Sequence, residues 1–321
     1  VPDRTQSLLV EDVTKSFGPV EALRGVSFTA APGEVLGVLG PNGAGKTTVV
    51  NILATLLRPD SGRAVVAGHD VVADAAGVRR SIMLTGQYAA LDDALTGFEN
   101  LVLFGRLLGM RRREARARAR ELIAEFDLDD AADRSVGRYS GGMRRRIDIA
   151  CGLVVPPQVV FLDEPTTGLD PRSRQRVWDL VAGFEARGIT TLLTTQYLEE
   201  ADLLADRIVV VDHGVVVADD TPARLKQRTG GSFCEVVPVH PGDVAEIAAV
   251  VGFFAPAGTV EVGSDRVSIP ACDGAGTLAR VAAAVDARDI EVADIALRRP
   301  SLDEVFLALT GSGSPRLEVA A

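Results

Sequence analysis

Lysine is nearly absent from this chain. Only Lys15, Lys46 and Lys226 occur in 321 residues, and almost every other basic side chain is arginine. Cysteine and histidine are as scarce, at three each: Cys151, Cys234 and Cys272; His69, His213 and His240. The odd number and wide scatter of the cysteines exclude a disulfide frame and a metal-binding finger, and leave them as expected small core residues. No apolar run reaches the length of a membrane span. The best candidates, 147–162 and 247–260, are broken by Asp148, Pro156, Pro157, Pro256 and Gly258. The N-terminal stretch VPDRTQSLLVEDV is polar and acidic, so no signal peptide is expected and the cytosol is the expected location. Net charge is −10. A broadly acidic surface argues against non-specific nucleic-acid binding, so no nucleic-acid partner is expected.

What is present is apolar material, 47% of the residues, in a chain too long for one compact core of ordinary size. Two or three units are expected. The first informative stretch, residues 34–48, reads EVLGVLGPNGAGKTT. Val35 to Leu39 is a short buried-strand run. It leads into Gly40-Pro41-Asn42-Gly43-Ala44-Gly45-Lys46-Thr47-Thr48, a full match to G-x(4)-G-K-[ST]. Val49, Ile52, Leu53, Leu56 and Leu57 follow at helical spacing, and Arg58-Pro59-Asp60-Ser61-Gly62 is the expected stop. Strand, glycine loop and helix are the context this motif requires. The glycines let backbone N–H groups turn inward around phosphate oxygens, and the helix N-terminus adds positive potential. Lys46 is then the group that reaches the β- and γ-phosphates, and Thr47 offers its hydroxyl to Mg²⁺.

Two further stretches carry chemistry. YSGGMRRRIDIACGLV (139–154) places Ser140 as a helix N-cap, with Met143, Ile147, Ala150 and Val154 on one helical face. Alone it reads as a simple cap. Yet Ser140 with the amides of Gly141 and Gly142 makes a second anion site, more than one ATP needs within one chain. VVFLDEPTTGLD (159–170) is a buried-strand run ending in two carboxylates. Asp163 suits a water-mediated contact to Mg²⁺, and Glu164 suits a base that orients or activates water.

In order, GPNGAGKT, Gln87 in MLTGQYAALD, YSGGM, FLDEP, the GLD ending at Asp170 and Gln196 in TTQYLEEAD resemble the nucleotide-binding subunit of an ABC transporter over about residues 7–222. The resemblance implies ATP and Mg²⁺ as cofactors. It implies a second copy of the chain in a head-to-tail ATP-sandwich dimer, where the SGG loop of one copy closes on the γ-phosphate held by the other. Phe17 in KSFGPV matches the aromatic that stacks on adenine, with a core phenylalanine as the plain alternative. Gln87 matches the residue that reaches Mg²⁺ and links the core to the membrane partner, and Asp170 the loop that couples the two ATP sites. Tyr139 and Met143 depart from the commoner Leu and Gln. Gln196 stands where most of the family has a histidine that contacts the γ-phosphate. It matches a γ-phosphate sensor and catalytic partner of Glu164, a strand-end polar cap being the plainer alternative.

The fold class expected is α/β: a P-loop, RecA-like ABC ATPase core over 1–222 with a helical insert at about 89–157, a linker at 223–232, and a small α+β domain over 233–321. In the insert, MRRREARARARELIAEFDL reads as a long arginine-studded helix with a solvated face. The last ninety or so residues read as β-α-β-β-α-β-α, a ferredoxin-like order, ending in a helix capped by Ser301 and Glu304. With the tail SLDEVFLALTG, the motifs resemble the daunorubicin/doxorubicin-resistance type of ATP-binding subunit. That type implies peripheral docking at the cytoplasmic face of the cell membrane and a separate integral-membrane permease that exports hydrophobic compounds. Two alternatives stay open at this point: a soluble ABC ATPase acting on ribosomes or DNA, and an importer ATPase.

Overall fold

The computed structural model describes residues 6–86, 91–228, 232–256, 259–298, 301–302 and 305–306. The chain divides into two compact units, Val1–Thr221 and Pro222–Ala321.

The first unit opens with β1 (Leu8–Phe17) and β2 (Val20–Ala30), followed by β3 (Val35–Leu39), α1 (Lys46–Leu53), β4 (Ser61–Val66), β5 (His69–Asp70), α2 (Ala75–Ser81) and β6 (Ile82–Thr85). Three helices come next: α3 (Gly97–Leu107), α4 (Arg112–Glu125) and α5 (Gly141–Gly152). The unit closes with β7 (Val159–Asp163), α6 (Pro171–Glu185), β8 (Thr190–Thr195), α7 (Leu198–Leu204), β9 (Arg207–Asp212) and β10 (Val215–Asp220).

Six of these strands form one sheet in the order β10-β9-β3-β8-β7-β6. All its pairs are parallel except β10 with β9. β3, β7 and β8 are buried along their whole length, as expected for parallel strands covered on both faces. One core lies between this sheet, α1 and the antiparallel strands, around Leu36, Ile52, Leu53, Phe161 and Val209. A second lies beneath α4, α5 and α6, around Leu101, Leu122, Phe126, Ile147 and Phe184. Each fully buried side chain of this kind contributes about 1.5–3 kcal/mol.

A second sheet, antiparallel in the order β2-β1-β4-β5, was not legible in the sequence. The reason is physical. β1 carries register shifts between Val10 and Val13 and between Lys15 and Ser16, and Asp12 has φ 47°. Such bulges break the period-two alternation by which a half-buried strand is recognised. The helix after the glycine loop is also shorter than expected. It stops at Leu53 rather than Leu57, because Thr55 turns left-handed at φ 62° and the amides of Leu56 and Leu57 fold back onto the Asn51 carbonyl.

The helical insert is present as α3, α4 and α5. α4 buries Ala115, Ala119, Leu122 and Ile123 and leaves most of its arginines in solvent. Thr96 and Glu99 close a capping box at the start of α3.

The second unit begins with α8 (Pro222–Arg228), so the first part of the expected linker is helical. It continues with β11 (Phe233–Pro238), α9 (Val244–Val251), β12 (Glu261–Val262), β13 (Val267–Pro270), α10 (Ala275–Asp286) and β14 (Val292–Arg298). The sheet order is β12-β13-β11-β14 with every pair antiparallel, the β-α-β-β-α-β arrangement read from the sequence. Val236, Ile247, Val267, Ile269 and Val281 form its core. The rest of the linker, 229–231, and Glu304 of the expected last cap lie outside the described residues. The Val305 amide does donate to the Ser301 carbonyl. Cys151 and Cys234 are buried as expected, whereas Cys272 is exposed. No helix among the described residues is long and apolar enough to cross a membrane.

Candidate active site

The parallel register brings three strand ends into one row. Leu39 at the end of β3 lies opposite Thr195 of β8, and Thr194 lies opposite Asp163 at the end of β7. This is the carboxyl edge of the sheet, where open α/β folds bind ligands.

The glycine loop leaves β3 at Gly40. A Cβ there would sit 2.2 Å from the Val211 carbonyl oxygen, so close packing on β9 requires glycine. Gly45 caps α1 at φ 108°, a left-handed value that side chains resist, and it offers no side chain to the first-turn amides of the helix. Those amides are left to an anion. Ala44 is buried, its carbonyl accepting from the Gly214 amide at 3.1 Å, while Asn42 and Gly43 face solvent. Lys46 is buried, and its Nζ donates to the carbonyls of Gly40 at 2.8 Å and Pro41 at 3.1 Å. The ammonium group therefore sits inside the loop. Burial pushes its pKa down, and the Glu164 and Asp163 carboxylates act against that.

Asp163 is buried at the end of β7 and accepts a short hydrogen bond from the Thr194 hydroxyl. Thr47 Oγ1 lies 3.4 Å from Asp163 Oδ1. Two hard oxygen donors so close, beside an open phosphate loop, fit Mg²⁺, which takes one or two protein oxygens and completes its shell with phosphate and water. Glu164 adopts φ 48°. Such a conformation costs a non-glycine residue about 1–3 kcal/mol and persists only where its surroundings enforce it. Here the Glu164 amide donates to the carbonyl and hydroxyl of Thr194, at 3.0 and 3.2 Å, and Thr167 donates to its carboxylate at 3.2 Å. Thr194 thus holds both carboxylate residues. Sequence reasoning missed it, because a threonine in a buried β-branched run carries no signal of its own.

Gln196 follows β8 directly and is exposed, one residue beyond the Leu39–Thr195 pair and hence level with the start of the glycine loop. Thr48, on the first turn of α1, is half-buried. Phe17 ends β1, is 47% exposed, and has the Lys15 ammonium 5.7 Å from its ring centroid. The core-phenylalanine alternative does not fit that exposure. Beside Phe17, Ser16, the stretch Gly18 to Ala22, Arg24, Gly43 and His213 line a hollow of about 830 Å³.

The second loop lies at the start of α5, and its Gly141 lines a cavity together with Glu164. Ser140 is the N-cap of α5, accepting from the Met143 amide at 3.3 Å, and it is exposed, as is Gly141. Gly142 is buried against Ser173 of α6, whose hydroxyl and amide both bond Asp170. Asp170 is thereby the N-cap of α6, and those two bonds hold its carboxyl below the usual carboxylate range. The two departures from the commoner loop point inward. The Tyr139 hydroxyl donates to the Ala131 carbonyl at 2.7 Å, and Met143 is half-buried against the core of the insert. Gln87 lies outside the described residues. No cluster of three or more His, Cys, Asp or Glu side chains able to hold a metal occurs among the described residues.

A strand, an uncapped glycine loop with a buried lysine, and paired carboxylates across the sheet are the parts of a nucleotide-hydrolysing site. Comparison with known proteins agrees. The family model for ABC transporters matches residues 23–167. The chain belongs to the ABC transporter family as an ATP-binding, ATP-hydrolysing subunit. It is 59% identical over 309 residues to the doxorubicin resistance ATP-binding protein DrrA of Mycobacterium tuberculosis, covering 95% of this chain and 93% of that one. It is 38% identical to the Nod factor export ATP-binding protein I of Rhizobium sp., covering 93% and 95%. Among solved structures it resembles a dimeric ATP-binding cassette in a post-hydrolysis state bound to ADP and Pi. There the TM-score is 0.60 and the identity 27%, over 67% of this chain and 98% of that one.

Proposed function

We propose that the chain is the ATP-hydrolysing motor of an exporter, docked at the cytoplasmic face of the membrane on a separate permease that carries a hydrophobic drug or antibiotic outward. The observation that carries the chemistry is the convergence of Lys46, Asp163 and Glu164 at one sheet edge. The export reading is supported by relatives named for drug resistance and for export. In this reading the amides of the Gly40–Thr48 loop and the Lys46 ammonium hold the β- and γ-phosphates, and Phe17 stacks on adenine. Thr47 and Asp163, with Gln87, hold Mg²⁺, which neutralises charge on the phosphate oxygens when bound. Glu164 accepts the proton of the attacking water or orients it. Ser140, Gly141 and Gly142 close on the γ-phosphate of a second copy, and Asp170 sits at the seam. The acidic net charge of −10 supports a partner other than nucleic acid.

The test is reconstitution. Vesicles carrying only this chain should show no ATP-dependent movement of a hydrophobic drug, and vesicles that also hold its co-purifying permease should show it. Export by the chain alone overturns the division of labour.

Gln196 takes the role of γ-phosphate sensor. Its amide N–H can donate to a phosphate oxygen, and unlike histidine it does not titrate near neutral pH. Gln196→Ala is expected to slow hydrolysis by ~10²-fold, the scale of one lost positioned donor, with ATP binding mostly kept. Gln196→His should retain substantial activity. Wild-type turnover in Gln196→Ala would reduce the amide to a strand-end cap.

A further inference from the structure

Three arginines in succession, Arg144, Arg145 and Arg146, lie on the first turns of α5, and the helix sends them in three directions. Arg144 pairs with Asp93 at 2.6 Å on the surface. Arg146 is buried and donates to the carbonyls of Phe126 and Asp127 within the helical insert. Arg145 points at the core. Its Nε donates to the Pro165 carbonyl at 2.9 Å, Nη1 to the Gly86 carbonyl at 3.0 Å, and Nη2 to Thr85 Oγ1 at 3.2 Å. Asp148, one turn along α5, lies 3.4 Å away, and the two side chains are only 12% and 10% exposed. Arg145, Gly141 and Glu164 all line one cavity of about 520 Å³.

Each acceptor has a meaningful neighbour. Pro165 follows Glu164, Gly86 precedes Gln87, and Ser140 caps the start of α5. One guanidinium therefore ties the helix that carries the Ser140 loop to the segments on either side of it in the core. Burying an arginine is costly unless its donors are satisfied, and the planar fork satisfies them in directions that no single point charge can reach. Burial lowers the pKa of Arg145, and the nearby Asp148, Glu200 and Asp163 carboxylates oppose that shift.

We infer that Arg145 is a positioning residue that fixes the Ser140 loop relative to Glu164 and the Gly86 end of β6, and so links the two nucleotide sites of the dimer. The inference rests on the proposed sandwich dimer, in which the Ser140 loop serves the partner's nucleotide while Glu164 serves its own. A change at one site then reaches the other through a single side chain of the same subunit, and this appears as cooperativity between the sites.

The experiment measures hydrolysis against ATP concentration for full-length Arg145→Lys and Arg145→Ala, with the melting temperature of each. Size exclusion of Glu164→Gln with ATP runs beside it. Turnover should fall by ~10- to ~100-fold, the scale of a misplaced catalytic geometry, while the half-saturating ATP concentration moves less than ~3-fold. The Hill coefficient should drop toward one, the melting temperature of Arg145→Lys should stay near that of the parent, and lysine should fail to rescue. Wild-type turnover and cooperativity in Arg145→Lys overturn the inference. So does a variant whose turnover, half-saturation and melting temperature all fall together, which marks a residue that only stabilises. If Glu164→Gln stays monomeric with ATP, the dimer reading falls and the inference with it. If Glu164→Gln dimerises while the Arg145 variants behave as wild type, the inference alone falls.

Discussion

Lys46→Ala is expected to lower ATP hydrolysis by ~10³-fold or more, the loss typical when a cation that neutralises transferring phosphate is removed. The geometry explains why no neighbour compensates. The Lys46 ammonium is held inside the glycine loop by the Gly40 and Pro41 carbonyls. The nearest other charges, Asp163 and Glu164, have the sign of the phosphate itself. Removing the lysine leaves two carboxylates facing an anion, offset only by the loop's backbone amides and by Mg²⁺ when bound. Only two other lysines occur in the whole chain, Lys15 and Lys226. Lys15 is engaged with Asp60 at 2.7 Å beside Phe17. Turnover and nucleotide binding of the full chain, with circular dichroism to establish folding, provide the check. Hydrolysis within ten-fold of the parent would mean that phosphate charge is met elsewhere.

Glu164→Gln is expected to stop turnover, by ~10³-fold, while ATP binding persists and an ATP-bound dimer accumulates. The substitution is nearly isosteric. Glutamine can still accept from the Thr167 hydroxyl, and its backbone can still donate to the carbonyl and hydroxyl of Thr194. The left-handed backbone at φ 48° is enforced by those same bonds, so it should be inherited unchanged. What is lost is the ability to take a proton. A dimer bridged by uncleaved ATP then has no route to separation, and size exclusion with ATP should show a species of doubled mass. A Glu164→Gln chain that remains monomeric at high concentration and hydrolyses ATP normally would remove Glu164 from the role of base.

The contrast between Ser140 and Asp170 shows how helix caps serve two purposes here. Both are N-caps, of α5 and α6, and each receives backbone amide bonds that the helix would need in any protein. Yet Gly142, in the first turn of α5, packs directly on Ser173, in the first turn of α6. The two helix starts are therefore one surface rather than two separate ends. A Cβ at Gly142 would come within 2.2 Å of the Ser173 hydroxyl. That contact supplies a structural reason for the second glycine of the loop, independent of any phosphate.

Short-range pattern determined a good deal by itself. The boundaries of β3, the start of β7, the Ser140 cap, the arginine face of α4 and the strand–helix order of the second unit all follow from periodicity, capping and turn chemistry. These act within a few residues and are written locally. The family was legible for the same reason, since each motif is a contiguous loop with its own chemistry. Tertiary structure alone decided which strands lie side by side. The order β10-β9-β3-β8-β7-β6 joins segments more than a hundred residues apart, and only that order sets Thr194 against Asp163 and Gln196 level with Gly40. It also decided the left-handed turn at Glu164, which local preference opposes, and the different fates of Arg144, Arg145 and Arg146. Three identical residues in a row carry no local distinction. They separate because an α-helix turns each by about 100° from the last, and because what lies in each direction is supplied by chain from elsewhere.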